Sequence, residues 1–475
     1  MTGFAEYDNY DGLGLARLVR EGDISPAELL EEAISRTERV NGDLNAVVHK
    51  YYDLARAAIE AGLPEGPFRG VPFLLKDLHL AMTGTVTSNG SAMWRDAVAD
   101  HDSTLVQRYR QAGVTIFGKT NSPELGLMPV TEPRTFGPSR NPWNTELTPG
   151  GSSGGAGAAV AAGLVPLAHA SDGGGSIRIP AACCGLVGLK PSRGRVPFGP
   201  DKAEGWAGQS TSHVVSRSVA DSAAMLDATA GSEPGEAYSA PHYPGTFLHA
   251  AGTAPGSLKI AVSREKWGQG SYQPEVLAGL EQTVALLESL GHRVEEASPA
   301  IDGPALASVL FTIISVNTAV AVRQRAAELG CRVEELDMED GTRATVELGT
   351  GISGADYAEA IQMNQRAGRL LGNFHQQYDL LLAPTLASAP VPVGHIGGAP
   401  PEAYGDRLFA FMGDTGLYNQ TGQPSISLPL HWTEQNVPVG MMFTAAYGND
   451  ALLLQLAGQL EQSAPWWQRR PPVIA

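Results

Sequence analysis

Two glycine-rich turns, each containing serine, constrain this chain more than any other feature. Residues 149–155 read Pro-Gly-Gly-Ser-Ser-Gly-Gly, and residues 172–176 read Asp-Gly-Gly-Gly-Ser. The apolar residues between them predict a helix over 156–164 and a strand over 165–168. A single turn of this kind is typical of a protein surface. Two such turns around one buried segment instead predict a site, because consecutive amides and nearby hydroxyls can hold an anion.

The rest of the chain alternates predicted helices and strands, which indicates an α/β fold. Residues 25–28 (Ser-Pro-Ala-Glu) predict a capped helix start. A strand–helix–strand pattern over 257–297 predicts parallel strands with a right-handed crossover. The other predicted elements are strands over 70–77, 114–119, 378–384, 425–430 and 439–446, helices over 103–112, 216–230, 450–463 and, interrupted by glycines, 305–377, and a linker over 231–255. We expect one domain over residues 1–475.

Composition excludes several classes of function. The net charge of −17 disfavours a nucleic-acid surface, which needs a basic patch. The three cysteines (Cys183, Cys184 and Cys331) form no disulfide framework, which indicates a reducing compartment. No stretch is expected to reach the roughly 18 to 20 apolar residues of a membrane span, and the N-terminus lacks the pattern of a signal peptide. We therefore expect a cytoplasmic protein without nucleic-acid or membrane partners.

Three side chains in these patterns suggest nucleophilic chemistry: Lys76, Ser152 and Ser176. A serine hydroxyl needs a base to become a nucleophile. The nearby histidines, His169 and His213, do not fall in a recognisable triad pattern, whereas a buried lysine can be neutral and act as the base. The competing interpretation is that Lys76 is a solvent-facing lysine that ends a strand.

Two other glycine motifs compete with this interpretation. Residues 151–155 match Gly-x-Ser-x-Gly, the nucleophile elbow of α/β-hydrolases, but that motif requires a preceding strand and residues 144–149 are a poor one. A phosphate-binding P-loop is weaker still, because no Gly-Lys-Ser/Thr follows the glycines. The spacing of 24 residues between Ser152 and Ser176 instead suits one helix and one strand that return the chain to the same end of a sheet.

The second turn is expected to hold an oxyanion, and its charged neighbours are expected to brace it. A pair between Asp172 and Arg178 would support the loop; the alternative is a surface pair worth under about 1 kcal/mol. One amide donor in such a site is typically worth about 3 to 4 kcal/mol in the transition state. The candidate donors are the backbone amides of Gly173, Gly174, Gly175 and Ser176.

Together these motifs resemble the amidase signature family. The resemblance rests on residues 70–77, 149–155 and 172–178, continues through 184–191 and 419–429, and covers nearly the whole chain. It implies a catalytic signature region within residues 70–191. It also implies an α/β fold with a single large, mixed and twisted sheet covered by helices on both faces.

The resemblance also implies roles for the three candidate side chains. Ser176 would be the nucleophile, Ser152 a bridging serine that follows a cis peptide bond, and Lys76 the base. The implied reaction is hydrolysis of a carboxylic amide through an acyl-enzyme, on a small-molecule or oligomeric substrate, without a cofactor or metal. Gly173 departs from the pattern, since many members of the family carry a larger residue there.

The sequence leaves the identity of the substrate and the oligomeric state open. The chain resembles a subgroup of the family that hydrolyses the cyclic dimer of 6-aminohexanoate. The similar stretches are residues 120–124, 140–143 and 446–448 through to Trp466 and residues 469–471. The alternative function is the glutaminase subunit of a tRNA-dependent amidotransferase, which shares the same motifs and works with partner subunits. A homodimer is the default expectation. We expect the pocket to be lined from residues 128–143, 305–354 and 441–446.

Overall fold

The computed structural model describes residue 4 and residues 6–475 of the chain. In that part of the chain the strands form two sheets, one of eight strands and one of three. The strands are β1 (Val47–Lys50), β2 (Pro72–Lys76), β3 (Thr115–Thr120), β4 (Leu167–Asp172), β5 (Val187–Lys190), β6 (Thr211–Ser216), β7 (Lys259–Val262), β8 (Arg293–Glu296), β9 (Leu380–Pro384), β10 (Ser425–Trp432) and β11 (Pro438–Ala445).

The large sheet is mixed, as expected for this fold class. Its strand order is β4-β6-β5-β10-β11-β9-β7-β8. Neighbours from β4 through to β9 are antiparallel, whereas β9, β7 and β8 run parallel. The predicted strand–helix–strand unit is confirmed, since β7 and β8 are parallel neighbours separated by one helix along the chain.

The expectation of a single sheet is wrong. Strands β1, β3 and β2 form a separate small sheet, in which β3 pairs antiparallel with β1 and parallel with β2. Local apolar patterns identify a strand but carry no information about its pairing partner, which is decided by contacts distant in sequence. The small sheet matters here because β2 ends at Lys76.

Helices cover both faces of the large sheet. Along β9, Leu380 and Leu382 pack in one core with the helices over 219–229, 274–289 and 450–463, while Leu381 between them packs in another core with the helices over 354–374 and 415–421. This alternation follows from the two-residue period of a strand. The helices are α1 (Gly12–Glu21), α2 (Pro26–Leu44), α3 (Tyr52–Glu60), α4 (Thr104–Gln111), α5 (Gly154–Ala161), α6 (Arg178–Cys184), α7 (Val219–Thr229), α8 (Phe247–Ala251), α9 (Pro274–Ser289), α10 (Gly303–Leu329), α11 (Asp340–Gly351), α12 (Gly354–Phe374), α13 (Pro401–Phe411), α14 (Thr415–Thr421) and α15 (Asp450–Ser463).

The segment between the two glycine-rich turns folds as the sequence indicates. The predicted helix over 156–164 is α5, which begins two residues earlier, and the predicted strand over 165–168 is β4, which extends to Asp172. Every residue of α5 is buried. The first turn therefore lies at the start of α5 and the second lies directly after β4.

The predicted cap of one helix and the predicted bounds of another are also confirmed. The Ser25 hydroxyl accepts from the Glu28 backbone amide, and the Glu28 carboxylate accepts from the Ser25 amide, which is a complete capping box at the start of α2. Helix α15 has the predicted bounds. The predicted linker over 231–255 is wrong in part, because it contains the short helix α8.

The expectation that no stretch is long and apolar enough for a membrane span is also wrong. Helix α10 passes that test by length and composition, and its residues 303–322 carry no charged side chain. The core helix of a soluble protein passes the same test. In this fold α10 packs against α11, α12 and α14.

Candidate active site

Lys76 is the last residue of β2, and its side chain is fully buried. Its Nζ lies 2.7 Å from Ser152 Oγ and 3.1 Å from Ser171 Oγ. Burial disfavours the charged ammonium and lowers the pKa of Lys76 from 10.5 to about 7, although the Asp172 carboxylate opposes the shift. A solvent-facing lysine is therefore excluded, and a neutral amine is accessible near pH 7.

Ser152 lies in the first glycine-rich turn, and the Gly151–Ser152 peptide bond is cis. The turn is tightly enclosed. A Cβ atom at Gly151 would lie 2.6 Å from the backbone nitrogen of Val130, so only glycine fits there. Ser152 is buried except for the part of its surface that lines a cavity.

Ser176 lies in the loop between β4 and α6 and faces the same cavity as Ser152. In the described part of the chain the Ser176 hydroxyl forms no hydrogen bond with Ser152 or any other group. The structure thus brings Lys76 and Ser152 into direct contact and places Ser176 on the shared cavity. It does not show the second contact of the predicted relay.

The loop after β4 presents fewer free amides than predicted. The Gly175 amide donates to Asp172 Oδ1 at 2.7 Å, so it is not available to an oxyanion. Among the described residues, no group accepts a hydrogen bond from the amides of Gly173, Gly174 and Ser176. The predicted set of four donors is therefore reduced to three.

Asp172 and Arg178 form an ion pair at 2.9 Å, and both side chains are fully buried. The alternative of a surface pair is wrong. Burial by itself would raise the pKa of Asp172, but the Arg178 guanidinium holds that pKa well below its usual range. The Asp172 carboxylate also accepts from the amides of Gly175 and Ile177. The pair therefore ties the glycine loop to the first turn of α6.

Helix α14 holds the same loop from the other side, which the sequence reasoning missed. The Thr415 hydroxyl donates to the Gly174 carbonyl at 2.7 Å. The Asn419 side-chain amide donates to the Asp172 backbone carbonyl at 3.0 Å and accepts from Arg178 Nη2 at 2.7 Å. Residues 419–429 carried part of the family resemblance, but no local pattern connects them with residues 172–178.

Ser171 is another residue that the sequence reasoning missed. It lies on β4, one residue before Asp172, and lines the cavity. Its hydroxyl is the other group within reach of Lys76 Nζ. The signal was present, since Ser171 opens the run Ser-Asp-Gly-Gly-Gly-Ser. A lysine held between two hydroxyls is more strongly oriented than one with a single partner.

The two nearby histidines are not bases for this site. His169 Nδ1 accepts from the Lys76 backbone amide at 3.1 Å. Burial and the neighbouring Lys76 keep the pKa of His169 well below 6.5. His213 is also buried, contacts Ser222, and has its pKa lowered by burial to about 3. Both rings are therefore neutral structural groups, in agreement with the sequence analysis.

The cavity that contains both serines has a volume of about 240 Å³. Helix α10 contributes to its wall, as expected, but residues 128–143 and 441–446 do not. A loop over residues 197–206, which no local pattern singled out, contributes instead. The apolar lining residues are Leu78, Leu80, Leu105, Leu125, Pro197, Phe198, Trp206, Val320 and Ala321.

Replacing Arg178 with leucine is expected to destabilise the fold by about 3 to 5 kcal/mol, because the buried Asp172 carboxylate would lose its counter-charge. The measurement is the free energy of unfolding in urea. The matched control is Arg17→Ala, which removes a half-exposed pair with Glu21 and is expected to cost under about 1 kcal/mol. Equal losses for the two variants would contradict the structural importance of the buried pair.

The fold and the site define the class of protein. A mixed α/β fold that places a buried lysine and cavity-facing serines beside unpaired amides contains the chemical groups of a hydrolase. The Amidase family profile matches residues 28–454. The chain therefore belongs to the amidase family, and it hydrolyses amide bonds.

The chain is similar to particular relatives along nearly its full length. The chain is 37% identical to a 6-aminohexanoate-cyclic-dimer hydrolase of Paenarthrobacter ureafaciens, over 98% of this chain and 97% of the relative. A solved structure of a 6-aminohexanoate cyclic dimer hydrolase has a TM-score of 0.92 at 36% identity, covering 98% and 99% of the two chains. A bacterial aryl acylamidase structure has a TM-score of 0.88 at 30% identity, covering 97% of each chain.

Proposed function

We propose that amide hydrolysis by this chain uses Ser176 as the nucleophile, Ser152 as the bridging acid–base and Lys76 as the base. The observation that carries the proposal is the 2.7 Å contact between a fully buried Lys76 and Ser152. An amine with a pKa of about 7 is matched to proton transfer at neutral pH.

The reaction begins with transfer of protons along the chain of groups. Neutral Lys76 takes a proton from Ser152, which takes one from Ser176 as the Ser176 oxygen attacks the amide carbonyl. The contact between the two serines forms when substrate is bound, since catalytic hydrogen bonds are often incomplete in the free enzyme. Ser171 orients the lysine amine toward Ser152.

The intermediate is then held and resolved by the same groups. The free amides of Gly173, Gly174 and Ser176 donate to the oxyanion. The proton returns from Lys76 through Ser152 to the departing amine, and the C–N bond breaks. Water then attacks the acyl carbonyl while a water proton passes through Ser152 to Lys76. The C–O bond to Ser176 breaks, the proton returns through Ser152 to the Ser176 oxygen, and the acid is released. Asp172 and Arg178 act as positioning residues that keep the loop in shape.

The substrate is proposed to be a small amide with an apolar group on the reacting carbonyl or nitrogen. The cavity volume of about 240 Å³ and the mainly apolar lining support this class. The names of the relatives support it too, since they include a hydrolase of a cyclic amide and an aryl acylamidase. Both linear and cyclic amides remain within the proposal.

The proposal is tested by purifying the chain alone and assaying a panel of aryl anilides, linear amides and cyclic amides. We expect hydrolysis of at least one class without any added protein. An amidotransferase glutaminase subunit would instead require its partner subunits and glutamine. Activity that appears only with such partners would overturn the stand-alone amidase. The oligomeric state can be measured on the same preparation. A homodimer and a cytoplasmic location both stay predictions.

Replacing Thr415 with valine is expected to lower kcat about ten- to a hundredfold with little change in KM. The variant loses the hydroxyl that holds the Gly174 carbonyl, so the oxyanion donors lose their alignment. Thr415→Ser keeps the hydroxyl and should restore activity. The control is Thr421→Val, which removes a hydrogen bond to the Leu417 carbonyl within α14, away from the loop. Similar kinetic losses in Thr415→Val and Thr421→Val would contradict a specific role for Thr415.

A further inference from the structure

The cavity contains an aromatic ring directly beside the proposed oxyanion loop. A Cβ atom at Gly173 would lie 2.6 Å from two ring carbons of Trp206, Cε3 and Cζ3. The Trp206 ring therefore occupies the space that a side chain at position 173 would fill. Trp206 also lines the cavity that contains Ser152 and Ser176. The ring is thus a boundary of the space in which the reacting carbonyl must lie.

The ring is held in place from behind. Trp206 packs on an apolar cluster of Val309 and Ile313 from α10 and Ala360 from α12. It is half-buried, with one side against this cluster and Gly173 on another side. Packing on residues of two long helices stabilises the ring in this position, so the ring acts as a wall of the cavity.

The backbone around Trp206 forms a tight turn with an unusual conformation. Trp206 and Ala207 both have positive φ angles, 50° and 53°, which is uncommon for residues other than glycine. The turn is closed by hydrogen bonds from the Gln209 amide to the Trp206 carbonyl and from the Ser210 amide to the Gly205 carbonyl. Strained backbone conformations of this kind persist only where contacts with the surrounding structure stabilise them, and they are frequent at functional sites.

From these contacts we infer that Trp206 determines specificity by setting the width of the pocket beside the reacting carbonyl. The ring favours substrates with an unbranched chain on the carbonyl or the nitrogen and excludes branched or ring-shaped groups at that position. Gly173 and Trp206 form one unit, because a larger residue at 173 requires a smaller one at 206. This inference rests on the proposed function, since it places the reacting carbonyl at the Gly173–Ser176 loop.

The first test compares substrate selectivity in the wild-type chain and in Trp206→Ala and Trp206→Phe. An acyl series uses the p-nitroanilides of hexanoic and cyclohexanecarboxylic acid, and an amine series uses N-hexyl- and N-cyclohexylacetamide. In one series, Trp206→Ala should raise kcat/KM for the cyclohexyl substrate relative to the hexyl one by at least about tenfold. Trp206→Phe should give an intermediate ratio. The series that changes identifies the side of the substrate that meets the ring.

The outcome that overturns the inference is a ratio within twofold of wild type in both series for a folded, active variant. Trp467→Ala removes an exposed tryptophan that lines a different cavity and should leave both ratios unchanged. If Trp206→Ala does not fold, Trp206→Leu takes its place. An active variant with unchanged ratios would contradict the role of Trp206 in specificity but leave the proposed amidase activity intact. Inactivity of the wild-type chain on all four substrates would instead contradict the proposed function.

The second test is a double-mutant cycle on Gly173 and Trp206. Gly173→Ala should lower kcat/KM because the new methyl group collides with the ring and shifts the loop. In the Gly173→Ala/Trp206→Ala chain the collision is gone, so kcat/KM should exceed that of Gly173→Ala alone. Full activity of Gly173→Ala, or strictly additive losses in the double variant, would show that the two residues do not share this space.

Discussion

Replacing Ser176 with alanine is expected to lower kcat for amide hydrolysis by on the order of 10⁵- to 10⁶-fold. The variant lacks the oxygen that forms the acyl-enzyme, and no other hydroxyl in the cavity lies on the loop with the free amides. The measurement is single-turnover and steady-state hydrolysis of the best substrate of the panel. KM is expected to change little, because alanine keeps the Cβ atom of the serine and preserves the shape of the loop.

The control for this variant is Ser289→Ala, at an exposed position near the end of α9, which should retain wild-type activity. A second readout is chemical. The wild-type chain treated with an activated ester should gain the mass of one acyl group on the peptide that contains Ser176, and Ser176→Ala should not. Turnover near the wild-type level, or acylation of another serine, would remove Ser176 from the mechanism.

Replacing Lys76 with methionine is expected to lower kcat by at least about 10⁴-fold, because the proton of Ser152 then has no acceptor.

In the wild-type chain, burial lowers the pKa of Lys76 to about 7 and only the neutral amine acts as base. The rate should therefore rise with pH through about 7 and then level off. A rate that does not change between about pH 5 and 9, in a chain that stays folded, would contradict a lysine base.

The same substitution should change how stability depends on pH. Lys76 has a pKa of about 7 in the folded chain and an ordinary value of 10.5 when exposed. Between these pH values the unfolded chain binds a proton that the folded chain does not, so stability rises with pH across this window and the penalty is full below about pH 7. Lys76→Met should remove that slope and stabilise the fold at neutral pH.

The experiment is urea unfolding of both chains between about pH 6 and 10. Lys50→Met is the matched control, since Lys50 is exposed and pairs with Glu38 on the surface. It should leave the slope unchanged. A Lys76→Met chain that is inactive but keeps the wild-type slope would show that Lys76 is protonated in the folded state, which would exclude it as the base.

Several parts of the site followed from the sequence because their signals are local. Glycine runs at 149–155 and 172–176, and the apolar strand that ends in Lys76, are read directly from neighbouring residues. Their combination also carried the family resemblance, which the comparisons confirm. The capping box at Ser25 and the bounds of α15 are local in the same sense.

Other parts depended on contacts between distant segments. The Thr415 hydroxyl meets Gly174 across 241 residues of chain. The loss of Gly175 from the predicted donors depends on where the Asp172 carboxylate points, and Arg178 fixes that direction. The expectation of a single sheet failed for the same reason, since the pairing of β1, β3 and β2 is a long-range choice.

The sequence by itself determined the class of fold, the chemical groups of the site and their order along the chain. Short-range patterns record how each residue relates to its nearest neighbours, and the glycine turns are patterns of that kind. Only the tertiary structure decided which groups meet: Lys76 with Ser152 and Ser171, and Gly173 with Trp206. Those meetings depend on the packing of β2 against β4 and of α10 and α12 behind the cavity, which arises from many weak contacts that no single stretch of sequence contains.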